Sequence, residues 1–408
     1  MNEIIERKLI PFAALLFGIG IASSTALMSA SYILLIVLVL LSTKARSLIV
    51  DSFKNKFVLC GFIFYLIVLL GMSWSDADFH DRSKMALRVV GFGLLPLFFA
   101  GLRIQNSAKL LLKAFIVGEV LSAIISIGAW YFNHPVLMGL SDGVTEGAIF
   151  KWVVFRGHLI HVAFLAIAVN FLLWEIISKS HASKIKALFI FAYFISVFDL
   201  MFLVQGRTGQ VMFLGVTFVV LISRFRLKGF LTFLALMVVA VPLLYEFSPA
   251  VRNGILEYAN ERSEMQQGNY NTSAGLRAQF HKNSLIMFKQ SPLIGHGTGS
   301  YPSHYKALVT GTDQALNTQP HGDLYLVAVE LGLVGLIAFI AMILANVFEL
   351  LRMKNRTTQT MGFALLVGYI IALTQNSFFT DNVTGLAFML LMLSIQALGM
   401  NNLSEVRK

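Results

Sequence analysis

Charge is scarce in this chain. Of 408 residues, 13% are charged against 57% hydrophobic, and the mean hydropathy is +0.75. That excludes an ordinary soluble domain, in which about a quarter of the residues are charged. Cysteine is nearly missing: Cys60 stands alone inside the apolar run Phe57 to Trp74. An intramolecular disulfide and a cysteine-based metal site are thereby excluded, and the redox compartment stays open. Small residues suited to signal cleavage are also lacking after Glu3, Glu6, Arg7 and Lys8, so the run that begins at Ile10 is read as a retained first helix. No sequence repeat and no low-complexity linker divides the chain. Acid is the rarer charge, 21 residues against 32 basic ones. The basic excess comes in small clusters between apolar runs, which is how topology signals are spaced, and no nucleic-acid partner is expected.

What the chain does have is long apolar runs. They are continuous rather than alternating, which selects helices over a closed barrel as the way to satisfy backbone groups in lipid. They fall at Ile10 to Met28, Ala30 to Leu41, Phe57 to Trp74, Ala86 to Leu102, Leu110 to Phe132, Leu159 to Ile177, Ile185 to Val204, Val211 to Ser223, Phe230 to Tyr245, Leu324 to Leu350, Met361 to Gln375 and Val383 to Met400. The expected fold is all-α, a polytopic membrane protein with about twelve transmembrane helices. Basic clusters mark every second connection, from Arg7/Lys8 and Lys44/Arg46 through Arg103/Lys109 and Arg224/Arg226 to Arg352/Lys354 and Arg407/Lys408. By the positive-inside rule this places both termini in the cytoplasm. The other side receives Ser73 to Met85, Asn133 to Arg156, the turn Gln205 to Gly209 and the long segment Phe247 to Pro320. One transmembrane domain over 1–408, with a single large non-cytoplasmic loop at 247–320 between the ninth and tenth helices, is the simplest partition. Inside that loop, Arg277 to Gln290 reads as an amphipathic helix closed by Ser291-Pro292 and a turn, Gly295-His296-Gly297-Thr298-Gly299.

The chemistry-bearing residues lie on that second side. His321 sits where the long loop becomes the tenth helix, with Pro320 placed to start it. On a continuous helix Gly332 and Gly335 share its face, at roughly +20° and −40°, and let another helix approach. An imidazole with a pKa near 6.5 suits a general base; the blander alternative is an interfacial histidine that caps a helix. Arg207, in Gln205-Gly206-Arg207-Thr208-Gly209, stands on the side where the charge rule disfavours arginine. It fits a phosphate or carboxylate partner; the alternatives are snorkelling and a pair with Asp199. Arg277 is read at the start of the amphipathic helix, where the helix dipole prefers anions, among other basic residues that form a well for a polyanion. Lys84, Arg88, Arg156 and Asp381 are weaker candidates. Asp76-Ala77-Asp78 imitates a divalent-metal pair, but no nucleotide-binding α/β pattern accompanies it, and no metal site or cofactor is expected. Glu119, Asp199 and Glu330 are acids within spans; they are scattered over three helices without the paired broken segments of a transporter, so internal hydrogen bonding is the simpler role.

Taken together, these residues resemble the O-antigen ligases, part of a bacterial family that also holds O-antigen polymerases and protein O-oligosaccharyltransferases. The sharpest similarity is His321-Gly322 followed after nine residues by Gly332-Leu333-Val334-Gly335. Gly322 stands where the family has Asn, Ser or Gln, which removes a side-chain hydrogen bond at that position but keeps the spacing. Gly206-Arg207-Thr208-Gly209, and Arg277 followed by Pro292, Gly295 and Gly297, are similar as well. The resemblance implies a metal-independent, inverting glycosyl transfer on the periplasmic face of the inner membrane. Its donor would be O-antigen on undecaprenyl pyrophosphate and its acceptor a sugar hydroxyl of lipid A-core, with His321 as base and Arg207 and Arg277 on the pyrophosphate. A polymerase is the nearest rival. A protein O-oligosaccharyltransferase, expected to carry a further C-terminal portion, comes third, and a lipid or polysaccharide transporter is the rival from another class.

Overall fold

The apolar runs break where a small polar residue caps the next helix. In the computed structural model, which describes residues 2–132, 152–178, 181–312, 314–373 and 375–405, every regular element is helical. A π-helical turn, Ile5–Leu9, leads into α1 (Ile10–Ser23). Ser24 then leaves the helical conformation, and its hydroxyl accepts the N–H of Leu27 to open α2 (Thr25–Leu41). Ser42 does the same through Ala45 for α3 (Thr43–Ser52), which turns 102° away from α2. Asn55 caps α4 (Lys56–Gly71) through Val58. Such caps contribute about 1 kcal/mol each and fix where one helix hands over to the next.

The run Ala86 to Leu102, expected as one span, is instead three pieces: α5 (Phe79–Arg88), α6 (Val90–Gly93) and α7 (Leu95–Leu102). Pro96 is the physical reason, because in a continuous helix its ring would meet the carbonyl of Phe92 and it has no N–H to donate there. Beyond it come α8 (Ser107–Tyr131), α9 (His158–Ser178), α10 (Ser183–Phe198) with a π-helical turn at Asp199–Leu203, α11 (Arg207–Phe225) and α12 (Leu227–Phe247). The long loop folds into α13 (Pro249–Gln266), α14 (Ser273–Gln290) and α15 (Tyr301–Val309), and α16 (Asp323–Leu351), α17 (Arg356–Leu373) and α18 (Asn382–Glu405) follow. Among the described residues seven helices (α8 to α12, α16 and α18) are long and apolar enough to cross a membrane, or eight spans if α2 and α3 count as one bent span. The expected twelve also included α1 and α4, which have 14 and 16 residues, short of the roughly 20 that a 30 Å hydrocarbon core takes.

α9 sits at the centre of the bundle, with an unbroken buried stretch from His161 to Leu172. α12 buries only Gly229 and leaves its apolar sides for lipid. The two ends of the bundle differ in what they hold. At one end Arg103 pairs with Asp51 at 2.6 Å, the Lys56 N–H donates to Glu349 at 2.8 Å, and Asn55 donates to Gln396 at 2.8 Å. At the opposite ends of the same helices, Thr298 N–H donates to Gly71 and Arg88 donates to Gln319. The basic clusters gather at the first end, and every candidate site residue except Arg156, which is treated below, lies at the second.

α16 is not a continuous helix. Gly332 has φ +61° and ψ −154°, and the strand-like segment 292–297 docks into the break. Leu333 and Val334 donate to the carbonyls of Pro292 and Leu293, while His296 and Gly297 donate to those of Val329 and Glu330. A Cβ on Gly332 would lie 2.5 Å from Leu293 backbone, so only glycine fits. The shared face expected for His321, Gly332 and Gly335 therefore does not exist. Gly332 is where a loop, rather than another helix, is received.

Candidate active site

His321 lies outside α16, in the left-handed region at φ +54°, with Gly322 as the N-cap. Asp323, two residues on and fully buried, holds this corner by accepting the N–H groups of Phe379 (3.0 Å) and Thr380 (2.8 Å) and the Thr380 hydroxyl (2.7 Å). The imidazole stacks on Phe280 of α14 at 6.0 Å and 26°. Burial holds its pKa below the ordinary histidine value, and Arg277, His281 and Arg88 push the same way. It is thus neutral at pH 7 and able to accept a proton. Among the described residues neither ring nitrogen makes a hydrogen bond.

α14 brings two more groups to this corner. It begins at Ser273, capped by Thr272, so Arg277 lies in the second turn and not at the helix start, which removes the expected conflict with the dipole. Arg277 has no carboxylate in ion-pair range among the described residues, and burial and Arg207 pull its pKa down against the opposing effect of Glu261. His281, one turn further, stacks on Tyr325 at 4.1 Å and 11°. Burial lowers its pKa more than the nearby carbonyls of His321 and Pro320 raise it, and its Nε2 is buried without meeting hydrogen-bond geometry.

Arg207 opens α11 and forms a bidentate pair with Glu261 of α13, at 2.7 and 3.1 Å. Its stem lies against Gly254, and the neighbouring Gln205 donates to Glu257 at 2.7 Å. The alternative pairing with Asp199 is not formed: Asp199 accepts from Ser126 at 2.6 Å and faces His161 Nε2 at 2.7 Å. Arg88 donates to Gln319 at 2.6 Å and approaches Asp381 to 3.8 Å, while Asp381 caps α18 through Val383 and Thr384. Lys84 is exposed one turn before Arg88. Arg156 is structural, donating to the carbonyls of Ile21 and Gly20 and to Thr25. The acidic pair is occupied separately: Asp76 faces His304 at 2.8 Å and Asp78 caps α5.

The structure thus brings His321, Arg277, Arg88 and Asp381 to one corner and reaches Arg207 through Glu261. Sequence reading passed over His281, Glu261, Gln319 and Asp323. Of these only His281 left a usable signal, since it follows Arg277 by four residues on the same helix. Glu330, read as an internal hydrogen-bonding acid, faces the backbone N–H groups of Gly299 and Tyr301, whereas neither carboxylate oxygen of Glu119 has a partner among the described residues.

Fold and site together define a polytopic, all-α membrane protein with a neutral histidine set among arginines at one end of its bundle. Residues 188–340, less than half of the chain, match the family model described as O-antigen ligase, which supports an assignment to that family. The matched segment contains Arg207, Arg277 and His321. The chain is also 32% identical over 130 residues to an uncharacterized protein of Haemophilus influenzae, a match that spans 29% of this chain and a third (33%) of that protein.

Proposed function

We propose that this protein transfers a glycan from a polyprenyl pyrophosphate, undecaprenyl-pyrophosphate-linked O-antigen, to a sugar hydroxyl of lipid A-core. The observation that carries the reading is His321, neutral and without a hydrogen bond among the described residues, near Arg277, whose guanidinium has no ion pair among them. The acceptor oxygen attacks the anomeric carbon from the face opposite the pyrophosphate as the C–O bond to the pyrophosphate breaks, which inverts the centre. The hydroxyl proton passes to a ring nitrogen of His321, and undecaprenyl pyrophosphate leaves. Arg277 and Arg207 neutralise the charge that grows on the leaving group, a contribution often worth several kcal/mol in a site that excludes water. Guanidinium groups take the place a metal ion would hold, so transfer proceeds in EDTA. Arg88, fixed by Gln319, keeps the His321 corner cationic; Lys84 and Asp381 border it.

The alternation of basic clusters supports an inner-membrane orientation with both termini in the cytoplasm and this corner in the periplasm. A polymerase would use the same donor and differ only in its acceptor. The test is transfer by purified protein in detergent with EDTA, given the lipid-linked glycan and either lipid A-core or a second lipid-linked glycan. Product on lipid A-core with wild type, lost in His321→Ala, supports the ligase; product only on the second glycan supports the polymerase. Transfer that persists without His321 removes the proposed base.

A further inference from the structure

A pocket of about 240 Å³ opens where the end of α8, the π-helical turn and the start of α13 meet, lined by Trp130, Trp152, Phe202, Gln205, Pro249 and Asn253 among others. Gln205 is only 7% exposed and uses half of its amide: Nε2 donates to Glu257, while Oε1 has no partner among the described residues. A buried acceptor left in that state is unfavourable by about 1–3 kcal/mol, so the pocket favours an occupant that donates a hydroxyl. Among the described residues no charged side chain lines it. Indole surfaces beside neutral amides suit a molecule with apolar C–H faces and hydroxyl edges, which describes a pyranose.

α13 ties this pocket to Arg207. Asn253 lines the pocket, Gly254 packs on the Arg207 stem, Glu257 holds Gln205 and Glu261 holds the guanidinium. Residues 253, 257 and 261 recur at helical spacing on one face, and the eight helical steps from first to last span about 12 Å. We propose that the pocket is a saccharide subsite that takes a neutral pyranose of the donor glycan next to its pyrophosphate, an inference that rests on the reading of Arg207 given above. An isoprenoid chain would pack on the indoles but offers nothing to Gln205 Oε1, which is why the sugar is preferred.

The experiment is binding rather than turnover: tryptophan emission of the full chain in detergent, titrated separately with the free O-antigen repeat-unit oligosaccharide and with undecaprenyl phosphate. The expected result is a saturable change with the oligosaccharide that Trp130→Phe/Trp152→Phe abolishes. Asn253→Ala and Gln205→Leu should weaken saccharide binding about tenfold, read for each variant by its own titration, and leave undecaprenyl phosphate binding unchanged. The inference is overturned by a wild type that shows no saccharide-dependent change, by variants that bind saccharide as wild type does, or by a response at these tryptophans to the lipid alone. Protein that binds saccharide here yet transfers nothing would sink the proposed reaction and spare the subsite. Protein that transfers glycan while these variants bind saccharide normally would do the reverse.

Discussion

Two histidines of this molecule are held by opposite means. His161, 1% exposed in the centre of the bundle, faces Asp199 at 2.7 Å through Nε2 and Ser122 at 3.3 Å through Nδ1, and Ser126 completes Asp199. His321 has an aromatic ring against one face and cations around it, with both nitrogens unused among the described residues. His161 is fully buried and His321 only partly so, but burial is not the telling difference. What tells them apart is whether the protein has already answered each ring nitrogen: at His161 both are answered, by side chains of the preceding and following spans, and at His321 neither is answered among the described residues.

The largest effect should come from removing each in turn. His321→Ala should cut transfer by roughly 10²–10⁴-fold, the usual contribution of a general base, with thermal stability unchanged. His161→Ala should do the converse, because it strands Asp199 in the core; breaking a buried pair costs about 3–5 kcal/mol, so the melting temperature in detergent should fall while transfer per folded molecule is kept. A folded His161→Ala protein without transfer would end the distinction between the two sites.

Next in size is Asp323→Asn. The carboxylate accepts three donors from Phe379 and Thr380, and an amide leaves at least one of them without an acceptor, at about 1–3 kcal/mol. The His321 corner, already in a left-handed conformation that few side chains adopt, loses its anchor, and kcat should fall about tenfold while KM is little changed. A drop confined to KM would mean that Asp323 shapes substrate binding and not the base. This anchor shows why the site was only partly legible in the sequence. His321 and Arg207 stand out because lipid demands continuous apolar runs, and a lone charge or imidazole at their margin needs a reason; Arg277 stands out as a basic residue read at a helix start in the long loop. Asp323 with Thr380 and Arg88 with Gln319 join residues 57 and 231 apart, and no local pattern announces such pairs. The break at Gly332 was hidden for a similar reason: the run Leu324 to Leu350 is uniformly apolar, and only the docking of 292–297 shows that the helix opens there.

A smaller effect separates the cations around His321 by their charge. A base whose pKa is held below the ordinary value loses activity only when pH falls through that lowered pKa, so the acid limb of kcat/KM should lie below about 6.5. After burial, the charge of Arg277 acts most strongly on His321, and it favours the neutral ring. Arg277→Gln removes that push and should move the limb upward in pH, toward 6.5, whatever it does to the amplitude. Arg277→Lys should keep the limb near its wild-type position. An acid limb that stays fixed in Arg277→Gln would show that the titrating group is not His321.

The smallest expected effect concerns the arginine that is already answered. Arg207 is tied by two hydrogen bonds to Glu261, so a pyrophosphate reaches it only by displacing a carboxylate, whereas Arg277 has no such competitor among the described residues. Glu261→Gln keeps the shape of α13 but weakens an ion pair to a hydrogen bond between a guanidinium and a neutral amide, a difference of about 1 kcal/mol at this partly buried site. The donor KM should fall roughly threefold to fivefold with kcat nearly unchanged, since the competitor is removed from the ground state and the chemistry is untouched. The dependence on salt should rise as well, because an unmasked guanidinium feels the ionic atmosphere that its carboxylate partner now cancels. If the donor KM instead rises in Glu261→Gln, then Glu261 presents Arg207 to the substrate rather than competing for it, and the two arginines would differ in how they are aimed, not in whether they are free.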